Sequence, residues 1–357
     1  MFQYILDHPY FSIIISFVIG FICMPTIVRI AKKRNFVVKP NKRTSHQGSV
    51  PNVGGVNIFI SFFLTTSIFS VQLVEPIQFF VIGVFFILIV GFVDDLIDIR
   101  ALWKLIGELI AGFFLIVMSD IRLSTLHGFF GIYELPLWIS YCLSFFVFIV
   151  IINALNLVDG IDGLASGLGI IYCLFFGIYF SLTNKYTLSL CAYSLVGALS
   201  VFFIYNVFGK KNKIFMGDCG SLFLGYMITL FVFEFCELNG YHQVPEKYHM
   251  SAAPAVAICI LIVPLFDTIR VMVTRIKKGL SPFSPDKNHI HHLLLKIGLK
   301  HRQVTFVLLA VTLLFITIGL LGRNGSIGLL TATALIIITG LTYWVWRLVD
   351  KKNNAEI

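Results

Sequence analysis

Charged residues are scarce in this sequence: Asp, Glu, Lys and Arg make up 13% of its 357 residues, whereas 58% of the residues are hydrophobic. A soluble domain of this length would expose more surface than so few charges can cover. Apolar stretches of about 18 or more residues recur along the chain and predict membrane-spanning helices instead. No internal repeat, low-complexity segment or long flexible linker interrupts the pattern. We therefore expect residues 1–357 to form a single integral membrane domain.

Cysteine pairs and a cleavable leader are also missing. The seven cysteines are odd in number and scattered, mostly inside apolar runs, and they form no CxxC pair or metal-type spacing. We interpret them as small apolar residues in a reduced or membrane setting. The first apolar run begins near Tyr10, with no basic segment before it and no small-residue cleavage site after it. We therefore expect this run to be a membrane span rather than a signal peptide.

The apolar runs predict an all-α polytopic bundle of about eleven transmembrane helices. The predicted spans lie near residues 10–31, 53–73, 77–93, 102–118, 137–156, 163–181, 187–207, 221–236, 252–276, 304–321 and 327–346. Pro264 lies inside the ninth span, where a proline can kink a helix.

Basic residues set the expected orientation, because cytoplasmic loops of membrane proteins carry an excess of Lys and Arg. Of the 27 Lys and Arg residues, 22 fall on the side that follows the first span, four fall on the opposite side, and Arg270 lies within a span. This asymmetry predicts an N-terminus outside the cell and a C-terminus in the cytoplasm.

Four polar clusters fall at the predicted cytoplasmic ends of spans. They are GFVDDLIDIRALWK (91–104), NALNLVDGIDGL (153–164), IFMGDCGSLFLG (214–225) and SPFSPDKNHIHHLLLKIG (281–298). The loops predicted on the other side have no comparable density of catalytic residue types. Convergence of distant clusters on one membrane face is the main functional signal of the sequence.

The first cluster carries three carboxylates, Asp94, Asp95 and Asp98, at spacings of three and four residues. One helical turn would bring them together. Like charges that close repel each other strongly near a membrane, and a cation or a bound proton would relieve the repulsion. The alternative is that these residues cap and open the next helix.

The second cluster places Asn153 and Asn156 on one stripe of a helix end. Glycines follow among the next residues, so Asp159 and Asp162 are expected in a tight loop whose backbone can approach a ligand closely. A plain glycine turn with capping Asp residues is the alternative. Polar groups at the hydrocarbon boundary are costly, however, and tend to be functional.

The last two clusters suit an anion and a hard cation. Asp218 lies between glycines at a predicted helix start, where N–H groups favour a phosphate or carboxylate and the Asp suits Mg²⁺; an N-capping Asp is the alternative. His289, His291 and His292, with Lys287 nearby, suit phosphate oxygens. Zinc is conceivable, but no HExxH, paired Cys or fourth ligand accompanies them. The other alternative is a set of solvated loop histidines.

Together these residue types suit Mg²⁺-dependent transfer of a phosphoryl group. Their place at the membrane edge implies one lipid substrate and one substrate from the cytosol. The competing class is a transporter of a cation or phosphorylated sugar. A transporter would carry acidic residues near mid-membrane, often in repeated halves, whereas the acidic clusters here sit at one face and no repeat is visible.

The motifs VGGVNIF, VDDLID, NALNLVDGIDGL, FMGDCGSLFLG and SPFSPDKNHIHH occur in this order between about residues 29 and 303. In this joint pattern the chain resembles the polyprenyl-phosphate N-acetylhexosamine-1-phosphate transferases. The basic lead-in and the His segment are most similar to the bacterial undecaprenyl-phosphate α-N-acetylglucosaminyl branch. One departure is Cys219, where a small residue such as Ala is expected.

The resemblance implies that UDP-N-acetylglucosamine and undecaprenyl phosphate react to give undecaprenyl-diphosphate-N-acetylglucosamine and UMP. It implies Mg²⁺ as cofactor, with Mn²⁺ as a substitute, and the first membrane step of O-antigen and enterobacterial common antigen synthesis in lipopolysaccharide-type pathways. The location would be the bacterial cytoplasmic (inner) membrane, with a periplasmic N-terminus. Membrane lipid is an expected partner, nucleic acid is not, and a homodimer is compatible with the resemblance. Another UDP-N-acetylhexosamine is the alternative substrate.

The resemblance also implies roles for individual residues. Asp218 would be the metal ligand, with Asn156 near the metal, and Asp94 would be a base or orienter supported by Asp95. His289, His291 and His292 would contact the diphosphate. The candidate substrate-binding residues are Arg43, His46, Asn153, Asp159, Asp162, Phe215 and Lys287, with Phe215 against the uracil. We expect direct attack by the lipid phosphate, and a two-step path through phosphorylated Asp94 is the rival.

Overall fold

The computed structural model describes residues 8–34, 36–38, 50–69, 77–209, 212–280 and 288–355, and most of this part of the chain is helical. The helices are α1 (Phe11–Lys33), α2 (Gly54–Phe69), α3 (Ile77–Ile97), α4 (Ala101–Phe113, continued as a π-helix over Phe114–Met118), α5 (Leu137–Val158), α6 (Leu164–Leu182), α7 (Tyr186–Phe203, continued as a π-helix over Ile204–Phe208), α8 (Gly217–Gly240), α9 (Ala253–Ile260), α10 (Ile262–Lys277), α11 (Ile290–Ile297), α12 (His301–Leu321) and α13 (Ile327–Ala355), with a 3₁₀ turn at Glu246–Tyr248.

Each predicted span coincides with a helix, but the count of eleven is not reproduced. Within the described ranges, nine helices are long and apolar enough to cross a membrane, and the α9–α10 pair would make a tenth. The second predicted span corresponds to α2, whose 16 described residues are shorter than a crossing usually needs. The chain is therefore an all-α, multi-pass membrane protein, and the orientation of its termini stays a prediction.

Helix α8 lies at the centre of the bundle. Most of its residues are apolar and buried, as in a helix surrounded by protein. Helices α2, α3, α5 and α6 pack around it. Because α8 begins at Gly217, its first turn carries Asp218 at one end of the bundle.

Two of the sequence motifs are joined by their backbones at this end. The N–H groups of Gly54 and Gly55 donate to the carbonyls of Phe215 and Met216, both at 2.9 Å. A Cβ placed on Gly55 would lie 2.2 Å from the nitrogen of Gly220, so α2 and α8 touch backbone to backbone. Only glycine permits so close an approach.

The ninth predicted span is broken, in agreement with the kink expected from Pro264. Helices α9 and α10 differ in direction by 77° and meet at Leu261. Proline has no N–H to donate to the carbonyl of Ile260, one turn earlier, so the helix breaks ahead of it. The break redirects α10, and the chain then leads to α11 and its histidines.

Two short antiparallel pairs complete the described fold: β1 (Val37–Val38) with β2 (Val50–Pro51), and β3 (Thr125–Phe129) with β4 (Ile132–Glu134). The β3–β4 hairpin lies at the far end of α8, where the N–H of Ser124 donates to Glu237 at 2.8 Å. All seven cysteines are free, and four of them, Cys173, Cys219, Cys236 and Cys259, are buried.

Candidate active site

A lysine bridges two of the acidic motifs. Lys104, in the first turn of α4, places its Nζ 2.9 Å from Asp94 Oδ2 and 2.5 Å from Asp218 Oδ1. The exposed fractions of the side chains are 17% for Lys104, 8% for Asp94 and 31% for Asp218. Lys104 thus places one protein cation between Asp94 and Asp218, at a point where α3, α4 and α8 meet.

The two asparagines of the second cluster diverge at the end of α5. Asn156 Nδ2 donates to Asp218 Oδ1 and, at 2.8 Å, to Ser221 Oγ. Asn153 Nδ2 instead donates to Glu108 Oε2 on α4 at 2.8 Å, and Glu108 is only 1% exposed. Asn156 therefore holds Asp218, whereas Asn153 reaches a neighbouring buried carboxylate, and its role in substrate binding stays a prediction.

Asp95 is tied to the start of α8. Its carboxylate accepts the backbone N–H groups of Asp218 (2.8 Å) and Cys219 (3.0 Å) and the amide of Asn52 (2.7 Å). The sequence predicts that N–H groups at this helix start bind an anion. Two of them donate to a carboxylate of the protein itself. Asp95 thus fixes α3 to the helix that carries Asp218, and its part in the reaction stays a prediction.

The expectation that Asp98 shares a helical turn with Asp94 and Asp95 is wrong. Helix α3 ends at Ile97, and Asp98 follows in the left-handed region with φ 52° and is exposed. The alternative that these carboxylates open the next helix also fails for Asp94 and Asp95, because both lie on the last turns of α3. Asp94 Oδ1 accepts the N–H of Ile99 at 2.9 Å, which closes the chain reversal after the helix.

The glycine-rich loop predicted after the second cluster is present between α5 and α6. Gly163 adopts φ +76°, a conformation that suits glycine, and its N–H donates to Asn206 Oδ1 at 2.6 Å. Burial raises the pKa of Asp159 well above its usual range, and the nearby carboxylates of Asp218 and Asp95 raise it further. Asp159 is therefore part of the same acidic group as Asp218.

Lys213 lies between Asp162 and Phe215, two residues whose role in nucleotide binding stays a prediction. Lys213 Nζ is 2.6 Å from Asp162 Oδ2 and 5.9 Å from the centroid of the Phe215 ring. The backbone carbonyl of Asp162 also accepts the hydroxyl of Thr305 at 2.8 Å. A carboxylate, a cation and an aromatic face are thus grouped at the edge of the site.

The histidine segment packs against the Asp159 loop. A Cβ on Gly160 would lie 3.3 Å from His291 Nε2. The rings of His289 and His291 are nearly parallel, with centroids 5.6 Å apart, and the ring of His292 lies 4.3 Å from that of His291. Burial, followed by the neighbouring His292, lowers the pKa of His291 to about 3. His291 is therefore neutral at pH 7.

His289 is held by a carboxylate that lies outside the four polar clusters. Its Nδ1 is 2.9 Å from Oδ2 of Asp267 on α10, and both residues are buried. Three other candidates, Arg43, His46 and Lys287, lie outside the described residues.

Comparison with known proteins decides the family. Residues 77–235 match the family described as Glycosyl transferase family 4. The undecaprenyl-phosphate alpha-N-acetylglucosaminyl 1-phosphate transferase of Escherichia coli (strain K12) is 31% identical over 299 residues, which cover 83% of this chain and 78% of the relative. The chain belongs to the polyprenyl-phosphate N-acetylhexosamine-1-phosphate transferase family.

Other members of this transferase family support the same assignment. The enzyme of the same name from Yersinia pestis is 30% identical over 302 residues, covering 83% of this chain and 79% of its own length. A relative from Bacillus subtilis (strain 168) is named a probable undecaprenyl-phosphate N-acetylglucosaminyl 1-phosphate transferase. It is 29% identical over 359 residues, which cover 97% of this chain and 96% of the relative. The similarity therefore spans the whole bundle, including the helices on both sides of the matched family segment.

The transferase site fits a metal ion that is shared with a substrate better than a closed protein cage. Among the residues described, no three His, Cys, Asp or Glu side chains converge to hold a metal. Mg²⁺ usually takes one or two carboxylates and completes its shell with phosphates and waters. The contacts that Asp218 makes with Lys104 and Asn156 both fall on Oδ1, so Oδ2 takes part in neither. Asp218 is thus the residue that fits Mg²⁺.

The transferase also has an open apolar groove along the outer face of α4. Its volume is about 440 Å³, and Ile106, Leu109, Ile110, Phe113 and Phe145 line it. On α4 these lining residues lie on the opposite side of the helix from Lys104, because positions two, five, six and nine residues further along point away from it at about 3.6 residues per turn.

Sequence reasoning missed Lys104, Lys213 and Asp267. The two lysines served only as markers of orientation, and the carboxylate of Asp267 was hidden in an apolar span. A signal was present for Lys104 and Asp267, because ionisable residues within predicted spans are costly and usually functional. Their partners lie far away in the sequence, so only the fold shows what they contact.

Proposed function

We propose that this protein transfers N-acetylglucosamine-1-phosphate from UDP-N-acetylglucosamine to undecaprenyl phosphate, giving undecaprenyl-diphosphate-N-acetylglucosamine and UMP. The observation that carries the proposal is the convergence of Asp94, Lys104, Asn156 and Asp218 at one end of the bundle. The names of the Escherichia coli and Bacillus subtilis relatives support the choice of sugar and lipid.

The acceptor lipid would bind with its phosphate at Lys104 and its isoprenoid chain along the α4 groove. An ammonium with 17% exposure is a suitable donor to a phosphate monoester. The groove is lined by aliphatic and aromatic side chains, as an isoprenoid chain requires. Both features belong to α4 but lie on opposite sides of it, so the lipid would pass around the start of this helix from the groove to Lys104.

The donor nucleotide would lie on the side of Asp218 that is opposite Lys104 and the lipid phosphate. Phe215 offers an aromatic face to the uracil, with Asp162 and Lys213 beside it. The segment of His289 and His291 packs on the Asp159 loop and would contact the diphosphate. This arrangement would leave the sugar-linked phosphorus between the nucleotide side and Lys104.

The reaction would proceed by direct attack. An oxygen of the lipid phosphate forms a bond to the sugar-linked phosphorus, and the bond to the UMP oxygen breaks with its electron pair leaving on UMP. A phosphate monoester is largely dianionic near neutral pH and hardly needs a base. Both oxygens of Asp94 already accept hydrogen bonds or face Lys104, which favours an orienting role over a nucleophilic one. Mg²⁺ held by Asp218 would supply charge neutralisation of the diphosphate.

The cellular setting follows from the same proposal. The protein would lie in the bacterial cytoplasmic membrane with its N-terminus periplasmic and its site on the cytoplasmic face, as a monomer or homodimer. Mn²⁺ would substitute for Mg²⁺. The product would begin O-antigen and enterobacterial common antigen synthesis, and restoration of these polymers in a strain that lacks its own transferase would test that assignment.

The decisive experiment is an assay of the purified protein with undecaprenyl phosphate, Mg²⁺ and a panel of UDP-sugars. We expect UMP release with UDP-N-acetylglucosamine, and the Asp218→Ala variant should release none. Release only with another UDP-N-acetylhexosamine would change the sugar and keep the chemistry. Release only with UDP-N-acetylmuramoyl-pentapeptide, or no release at all, would overturn the proposal.

A further inference from the structure

Asp267 is a buried carboxylate to which the proposed reaction assigns no role so far. It lies on α10, six residues beyond the break at Leu261, and is 4% exposed. An ionised carboxylate at this depth is costly unless donors surround it. Its contacts therefore indicate what keeps it there.

Three donors from the surrounding chain meet this carboxylate. His289 Nδ1 is 2.9 Å from Oδ2, while the N–H of Ile290 (2.8 Å) and the guanidinium of Arg270 (2.7 Å) both donate to Oδ1. Arg270 also donates to the carbonyl of Asn288. One carboxylate and its arginine thus hold the backbone on both sides of His289 and one nitrogen of its ring.

We propose that Asp267 is a positioning residue for the transfer reaction, which fixes the Nδ1–H form and the orientation of His289. A carboxylate that accepts from Nδ1 determines which nitrogen carries the proton and leaves Nε2 for a ligand. The inference rests on the proposed function for the identity of that ligand, the diphosphate of the UDP-sugar. Because Asp267 lies on α10, the bend at Leu261 also determines the position of His289.

The Asp267→Asn variant gives a specific expectation, because every contact of Asp267 comes from a donor. An asparagine oxygen can still accept from Ile290 and Arg270, but its NH₂ group then faces His289 Nδ1. The ring must turn its lone pair to that NH₂ and carry its proton on Nε2. We expect kcat/KM for the UDP-sugar to fall about 10- to 100-fold, as for other residues that orient a functional histidine.

Two measurements test this positioning role. The first is UMP release by wild type, Asp267→Asn, His289→Gln and the double variant, with Asp120→Asn as matched control, since Asp120 is exposed and pairs with Arg122 instead. If Asp267 acts through His289, the double variant should lose no more than His289→Gln alone. The second is the ¹⁵N NMR spectrum of labelled histidines at pH 8, in which the signal lost in His289→Gln identifies that ring.

The outcomes separate this inference from the proposed function. A proton on Nδ1 of His289 in the wild type, moved to Nε2 in Asp267→Asn together with the loss of kcat/KM, supports it. A wild-type ring with its proton on Nε2 overturns it even if the variant fails to fold. Unchanged kcat/KM in Asp267→Asn, additive losses in the double variant, or a loss without a change of tautomer also overturn it. If the wild type releases no UMP, the proposed function fails while the spectrum still reports on the Asp267–His289 pair.

Discussion

Replacing Lys104 with Met is the most direct test of the site. The change removes the cation between Asp94 and Asp218 and keeps most of the side-chain volume in α4. At the observed 2.9 Å, one ion pair in an effective dielectric of about 20 represents roughly 6 kcal/mol of attraction, most of which desolvation offsets. Loss of one partner of a buried pair typically costs about 3–5 kcal/mol. We take the lower figure, about 3 kcal/mol, because Asp218 is 31% exposed and partly screened.

Lys104→Met should also lower kcat in the protein that remains folded. If Lys104 binds the lipid phosphate as that phosphate attacks, its loss should lower kcat about 10²- to 10³-fold, the range found when one electrostatic donor is removed from a transition state. UMP release at saturating Mg²⁺ and both substrates measures kcat, and thermal unfolding shows whether the variant is folded.

Lys247→Met is the matched control, because Lys247 is exposed on the Glu246–Tyr248 turn and should leave kcat unchanged. Lys104→Arg keeps the charge with a different shape and should lie between wild type and Lys104→Met. A folded Lys104→Met protein with kcat within threefold of wild type would refute the role of Lys104.

Four further predictions concern other residues of the site. Asp95→Asn places an amide donor against the N–H groups that open α8, so the free energy of unfolding should fall by about 1–2 kcal/mol, seen as a lower Tm. Asp162→Ala should mainly raise KM for the UDP-sugar, whereas Asp218→Ala should abolish Mg²⁺-dependent turnover; steady-state kinetics separates the two. No label should be trapped on Asp94 after incubation with radiolabelled UDP-N-acetylglucosamine alone, and recovery of phosphorylated Asp94 would rule out direct attack. His291 has a pKa of about 3 in the folded protein and about 6.5 when unfolded, so the unfolded state binds more protons between these values. Acidification from pH 7.5 to 5.5 should therefore cost about 1 kcal/mol of stability, a loss that His291→Gln should reduce in Tm measurements.

Much of the bundle follows from the sequence, because long apolar runs have few alternatives to membrane helices. The loop after Asn156 was also predictable, since glycines interrupt the helix there and place Asp159 and Asp162 outside it. Asp98 was misplaced because three- and four-residue spacing implies a shared face only while the helix continues. The chain leaves the helix at Ile97, and nothing in the spacing marks that end.

The centre of the site could not be read from spacing alone. Lys104 meets Asp218 across 114 residues, and it does so because α4 and α8 both start at the same end of the bundle. Asp267 reaches His289 only because α10 is turned at Leu261. The sequence pattern indicates that burying such ionisable residues costs free energy. Tertiary packing determines which partner offsets that cost.

Gly55 and Gly220, whose backbones are in contact, are positions at which the transferase should tolerate no larger residue. Gly220 lies two residues after Asp218, and a Cβ on it would fall 2.8 Å from the Cα of Gly55. A methyl group at either position would push α2 and α8 apart and carry the carboxylate of Asp218 away from Lys104. The position of this charge is therefore set by two residues that have no side chain, and a mutational scan should find both as intolerant as the carboxylate itself.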